Sequence, residues 1–167
     1  QRGVSIEEMT VDVMIEERLA CGFRYIPPSS IVIWRQVEAD VMALLERDDY
    51  MIGSDSIPLG ETPHPRAYGT FPRVVGRLRR RLGNSLEQVV NRVTGLPASR
   101  FGLTDRGVLR EGAFADIVVF DDDLIADLAS FEDPTAPPVG IPHVLVNGRF
   151  VVRDGGLTGV LPGRVVP

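Results

Sequence analysis

Residues 31–34, Ile31-Val32-Ile33-Trp34, form a short, continuous apolar run rich in β-branched side chains, and residues 50–53, Tyr50-Met51-Ile52-Gly53, form a second. Between them Val37, Val41, Leu44 and Leu45 recur at helical spacing. An apolar run without alternation suits a strand covered on both faces, as in a parallel sheet. Strand, helix and strand within about twenty residues make a βαβ unit, the building block of α/β folds. This stretch therefore predicts the α/β class.

The flanks extend the pattern. Ser5 and Glu8 have the spacing of a capping box, and Ile6, Met9 and Val13 follow at helical spacing. Cys21-Gly22 closes that helix and Pro27-Pro28-Ser29-Ser30 breaks the chain. After Gly53 comes a polar, proline-containing loop over 54–69. Pro72 is expected to open a helix carrying Val74, Leu78 and Leu82. Ser85 and Gln88 form a second capping box ahead of Leu86, Val89, Val90 and Val93, with Gly95 and Pro97 as the stop. Beyond Gly102 short apolar runs at Val108-Leu109, residues 117–120, residues 144–146 and residues 150–152 read as strands. Asn147-Gly148 between the last two is a hairpin signal, because a type I′ turn needs two positive φ angles. A boundary near residue 103 divides the chain into 1–103 and 104–167.

Composition excludes several classes. The 167 residues are 44% hydrophobic and 25% charged, enough apolar material for a real core. A net charge of -5 argues against nucleic acid as a partner, since phosphate binding needs a basic surface. The single cysteine, Cys21, cannot form a disulfide within the chain, which fits a reducing, cytoplasmic compartment. No run approaches the ~20 apolar residues of a membrane span, and no signal region opens the chain. The first residue is Gln1, which suggests processing or a piece of something longer.

Residues with chemistry gather after the second apolar run. Asp55, in Gly53-Ser54-Asp55-Ser56, follows a predicted parallel strand, at the edge where catalytic groups project in barrels and open sheets. An aspartate there can take a proton from an attacking water and pass it to a leaving amine. An Asx-turn that merely ends the strand is the competing reading, and spacing alone favours it. The segment 64–73 gathers His64, Arg66, Tyr68 and Arg73. An arginine fork can hold a carboxylate through two parallel hydrogen bonds, although composition alone favours a solvated loop. Arg77 and Arg79-Arg80-Arg81 read as a water-facing helix surface. His143 is expected at a strand edge, and neither it nor His64 belongs to a cluster of three or four metal ligands.

Met51-Ile52-Gly53-Ser54-Asp55 followed by His64-Pro65-Arg66-Ala67-Tyr68-Gly69-Thr70-Phe71-Pro72-Arg73 resembles the C-terminal part of the N-acyl-D-amino-acid deacylases, or D-aminoacylases, of the amidohydrolase superfamily. The resemblance continues through residues 94–98 and 102–107, through 112–121 (Gly-Ala-Phe-Ala-Asp-Ile-Val-Val-Phe-Asp), and through 143–148 (His-Val-Leu-Val-Asn-Gly). It implies a (β/α)₈ barrel with a small β-sandwich domain. Residues 1–103 would be the last barrel strands and helices, with 31–34 and 50–53 the final two strands. Residues 104–167 would be the C-terminal part of the composite β-domain. A complete barrel takes ~250 residues, more than this chain holds.

The resemblance further implies zinc-dependent hydrolysis of N-acyl-D-amino acids to a carboxylate and a D-amino acid. Zinc would be bound by residues outside this chain, with no metal ligand within it. Asp55 would be the catalytic carboxylate and Arg66 the holder of the substrate carboxylate, with His64 and Tyr68 as further substrate-binding residues. Ser56 stands where the family usually has glycine. The expected partner is a small-molecule substrate, with neither nucleic acid nor membrane. Self-association, or association with the remaining N-terminal part, is expected from uncovered strand edges. Two other readings stand beside this one: a cyclic amidohydrolase of the hydantoinase or dihydropyrimidinase type, and a non-catalytic truncated module used in assembly. These residues alone are expected to be inactive.

Overall fold

The computed structural model describes residues 3–16, 18, 29–57 and 63–166. Its elements are helices α1 (Ile6–Glu16), α2 (Ile31–Glu46), α3 (Arg66–Arg73), α4 (Arg79–Leu82), α5 (Leu86–Val93) and α6 (Gly95–Arg100). A π-helical turn, Val74–Leu78, joins α3 to α4. Strands β1 (Ile117–Val119), β2 (His143–Val146), β3 (Arg149–Arg153) and β4 (Gly156–Leu157) form one antiparallel sheet in the order β1-β2-β3-β4. Helices followed by a small sheet are what part of an α/β amidohydrolase fold should contain.

The βαβ expectation fails in its local form. Residues 31–34 open α2, and residues 50–53 have no regular structure. A buried parallel strand needs neighbours on both edges to satisfy its N–H and C=O groups. Among the described residues no strand lies beside either run. A helix closes its own hydrogen bonds, so the same apolar residues wind into one, and Ile31, Val32, Ile33 and Trp34 remain exposed.

Other boundaries also move. The helix expected to open at Pro72 begins at Arg66, with Pro72 inside it. Proline cannot donate to the carbonyl one turn back, and the ladder loosens into the π-turn directly afterwards. The expected stop at Gly95 is only a kink at Thr94 (φ -134°, ψ -84°), beyond which α6 continues to Arg100. Val108-Leu109 lies outside the sheet. Both capping boxes form: Ser5 with Glu8, and Ser85 with Gln88. The Asn147-Gly148 hairpin forms with φ of +48° and +75°. Asp154-Gly155 makes an equivalent turn between β3 and β4 (φ +52° and +79°). The expected helix end at Cys21-Gly22 and the proline pair at 27–28 lie outside the described residues.

The hydrophobic core draws on both sides of residue 103. Val75 of the π-turn, Val89 of α5 and Ile125 of the loop after β1 are buried together, with Val74, Leu86, Val93, Phe120 and Ile141 packed around them. Ile125 is 3% exposed and two glycines press on its backbone. A Cβ on Gly76 would sit 2.3 Å from the Ile125 carbonyl oxygen, and one on Gly140 would sit 2.5 Å from its nitrogen. Gly140 also has φ +75°, which a side chain resists.

The basic run mostly faces water, as expected, with Arg77, Arg80 and Arg81 exposed, but two of its members also tie the helices to this loop. Arg79 meets the Asp122 carboxylate at 2.5 Å, and Arg80 donates to the Asp122 carbonyl at 2.7 Å. Arg73 donates to Asp127 at 2.6 Å, and Arg81 pairs with Glu38. Ile125→Ala is expected to cost about 2–5 kcal/mol, the range for emptying a buried aliphatic site. Urea unfolding measures it, with a loss under 1 kcal/mol counting against Ile125 as the centre of the core.

Candidate functional site

The segment leading to Asp55 is fixed by a buried cation. Arg92 of α5 is 5% exposed. Its guanidinium donates to the carbonyls of Leu45 and Glu46, the last turn of α2, at 2.5 and 3.1 Å. Its own carbonyl accepts from the Ile52 N–H at 3.4 Å. Free carbonyls at a helix C-terminus carry partial negative charge, so an arginine there is favoured twice, by hydrogen bonding and by the dipole.

Three residues past Ile52, Asp55 takes a left-handed conformation, φ +48°. Aspartate tolerates this region better than most residues, and non-glycine residues held there cluster at functional sites. The positive φ belongs to Asp55 and not to Ser56, so serine in place of glycine meets no such conflict. The Asp55 side chain is 82% exposed. It projects from an irregular segment, not from the end of a strand, because the expected strand is absent.

Arg66 is the first residue of α3, so the expected loop is helical from there on. Its Nη1 lies 3.0 Å from Asp55 Oδ2. Its Nε is buried and has no hydrogen-bond partner among the described residues. Nε–H and Nη2 form the side edge of the guanidinium that grips a carboxylate with two parallel bonds.

His64 meets the backbone of this pair. Its Nδ1 accepts the Arg66 N–H at 3.1 Å, which caps the start of α3 and places the neutral ring's proton on Nε2. The ring meets Phe131 edge to face, centroids 5.1 Å apart at 79°. Partial burial, and then the Arg66 charge, push the imidazole below its ordinary value. Tyr68, two residues after Arg66, is exposed on another side of the helix. Among the described residues no hydrogen bond joins it to Asp55, His64 or Arg66. Asp55, Arg66 and His64 are therefore linked in a chain, and Tyr68 stands apart from it. His143 heads β2, stacks edge to face on Phe150 and accepts the Asp154 N–H, an edge role. Among the described residues no group of three histidine, cysteine or acidic side chains could hold a metal ion.

Two residues of this arrangement were missed in the sequence. Arg92 occupies the apolar face of α5 beside Val89 and Val93, a position where a charge signals a buried partner. Phe131 had no local signal pointing to residue 64.

Comparison with known proteins places the chain. The model of the amidohydrolase family matches residues 16–152. The chain belongs to the amidohydrolase family. It is 44% identical over 160 residues to the D-aminoacylase of Alcaligenes xylosoxydans xylosoxydans, covering 93% of this chain and 33% of that protein. A crystal structure of D-aminoacylase, described as defining a novel subset of amidohydrolases, superposes with a TM-score of 0.70 at 49% identity, over 74% of this chain and 26% of that one. The N-acyl-D-glutamate deacylase of Bordetella bronchiseptica was solved with zinc and a phosphonate inhibitor that mimics the reaction's tetrahedral intermediate. It matches at 46% identity and a TM-score of 0.65, over 72% of this chain and 27% of that one. The chain thus spans about a third of the length of the relatives it matches. Among the described residues no helix is long and apolar enough to cross a membrane.

The His64 cap has a pH signature. The folded state holds this imidazole neutral at pH values where the unfolded chain protonates it, about 6.5 and below. Folding stability from this group is therefore complete above that value and falls as the pH drops toward the lowered folded value. His64→Asn supplies a non-titrating acceptor. The stability difference between wild type and variant should shrink from pH 8 to pH 5 in chemical denaturation, and a difference constant with pH would contradict the cap.

Proposed function

We propose that this chain supplies the proton-transfer carboxylate and the substrate-anchoring arginine of an enzyme that hydrolyses the amide bond of N-acyl-D-amino acids. The observation that carries the reading is the Asp55–Arg66 pair: carboxylate and guanidinium 3.0 Å apart, with the Arg66 Nε donor left without a partner among the described residues. A buried donor without an acceptor costs about 1–3 kcal/mol, which a bound carboxylate would remove. In an N-acyl amino acid the scissile amide and the carboxylate sit on one α-carbon. The two groups that handle them must therefore be close neighbours, as Asp55 and Arg66 are.

In this mechanism Arg66 keeps Nη1 near Asp55 and the rest of its guanidinium holds the substrate carboxylate, whose binding turns the side chain enough to uncover the buried Nε–H. The anchored α-carbon then presents one face of the amide to water. Asp55 accepts the proton of the attacking water and returns it to the departing amine. The exposure of Asp55 leaves its carboxylate free to reach both. Zinc accompanies the Bordetella relative, but the described residues offer no ligand set for it. The steps given are therefore those of Asp55 and Arg66 alone. Residues 1–103 are the barrel share of that enzyme and residues 104–167 its β-domain share.

The test is a chimera in which this chain replaces the matching third of the Alcaligenes D-aminoacylase. It should hydrolyse N-acetyl-D-amino acids. Asp55→Asn should lower kcat by about 10²–10⁴, the usual worth of a general acid–base group. Arg66→Ala should act chiefly on KM. Full turnover in the Asp55 variant, or an unchanged KM in the Arg66 variant, refutes the corresponding role.

A further inference from the structure

The loop after β1 does more than fill the core. Between residues 127 and 131 it runs past α3 and the residue His64 just ahead of it. Asp127 receives two hydrogen bonds from Arg73, at 2.8 and 2.6 Å. Asp127 and Ala129 lie against Gly69, where an added Cβ would be 3.4 Å from the Asp127 Cβ and 3.7 Å from the Ala129 Cβ. Phe131 meets the His64 ring at 5.1 Å. Residues 127, 129 and 131 thus match residues 73, 69 and 64 in reverse order. From 127 to 129 an extended strap advances about 6.6 Å, close to the roughly 6 Å that four helical residues span from 73 to 69. The further step, from Gly69 to His64, passes the start of α3.

The strap ends in a turn that fixes its last contact. Ser130 Oγ accepts the N–H groups of Glu132 and Asp133 at 3.1 and 3.0 Å, and the Ser130 N–H donates to the Asp133 carbonyl at 3.0 Å. Phe131 is carried on this closed turn, which fixes its backbone, and its ring is half exposed with an edge contact to His64. The ring it touches is the one whose Nδ1 caps the Arg66 N–H.

We infer that Phe131 is a positioning residue for Arg66, acting through His64, so that the segment after β1 sets where the substrate-anchoring guanidinium stands. This rests on the reading of Arg66 as the carboxylate anchor. Phe131 itself need not touch substrate. Without its ring the imidazole can rotate, and rotation removes the acceptor that holds the first N–H of α3. Arg66 then loses its fixed relation to Asp55, while Val75, Val89 and Ile125 keep their packing.

Hydrogen–deuterium exchange of the full chain, resolved by mass spectrometry, tests this without any need for activity. In Phe131→Ala, peptides covering residues 64–70 should exchange about 10-fold faster, while those covering residues 86–93 keep the wild-type rate. Phe131→Tyr keeps an aromatic edge and should restore slow exchange. His64→Asn keeps an acceptor without the ring, and should leave exchange over 64–70 insensitive to Phe131→Ala. Unchanged exchange over 64–70 in Phe131→Ala overturns the proposal, and so does an equal acceleration over 86–93. Inactive chimeras with the expected exchange pattern would sink the deacylase reading alone.

Discussion

Ile125 is the residue on which the rest of the structure depends. Its side chain fills the space between the π-turn and α5, and its backbone passes between two glycines that have no room for a Cβ. Few of the other described residues are as fully buried. With so small a core, polar clamps carry much of the orientation. Arg79 and Arg80 grip Asp122 just before Ile125, and Arg73 grips Asp127 just after it. The loop is thereby pinned on both sides of its buried residue, which is why its continuation to Phe131 can reach the candidate site in register.

The same economy explains how Asp55 is placed. No sheet supports it, yet its approach is held by Arg92, whose side chain caps α2 and whose backbone catches Ile52. Two arginines shape the candidate site in different ways. Arg92 is buried and directs its side-chain hydrogen bonds to backbone carbonyls. Arg66 has a donor that no described residue satisfies. Among the described residues Arg66 Nε is the one buried side-chain nitrogen or oxygen without a hydrogen-bond partner, and such a group is costly unless a ligand completes it.

Legibility in the sequence followed the range of the interactions. Features set by neighbours in the chain were readable: the two capping boxes, the Asn147-Gly148 turn, and the strands at 117–119, 143–146 and 149–153. Features that need distant partners were not. Residues 31–34 have the composition of a buried barrel strand, but strands exist only in pairs, and the helix wins where no partner is present. Asp55 and Arg66 were recognisable as residues through their family-like setting. Their pairing, the capping role of His64 and the clamp of Arg92 depend on packing over tens of residues. Of the arginines at 79–81, Arg80 and Arg81 do face water, but the loop that Arg79 and Arg80 grip could not be read, because periodicity locates a side chain on a helix and does not say which loop returns to it.

We propose that Arg66 completes its hydrogen bonding on a substrate carboxylate. Nitrogen-15 spectroscopy of arginine side chains in the chimera reads that event directly. Adding an N-acetyl-D-amino acid should shift the Arg66 Nε–H resonance and slow its exchange with water, and the Arg66→Lys variant identifies the signal by its loss. An Arg66 Nε–H that neither shifts nor gains protection at saturating ligand would contradict the account.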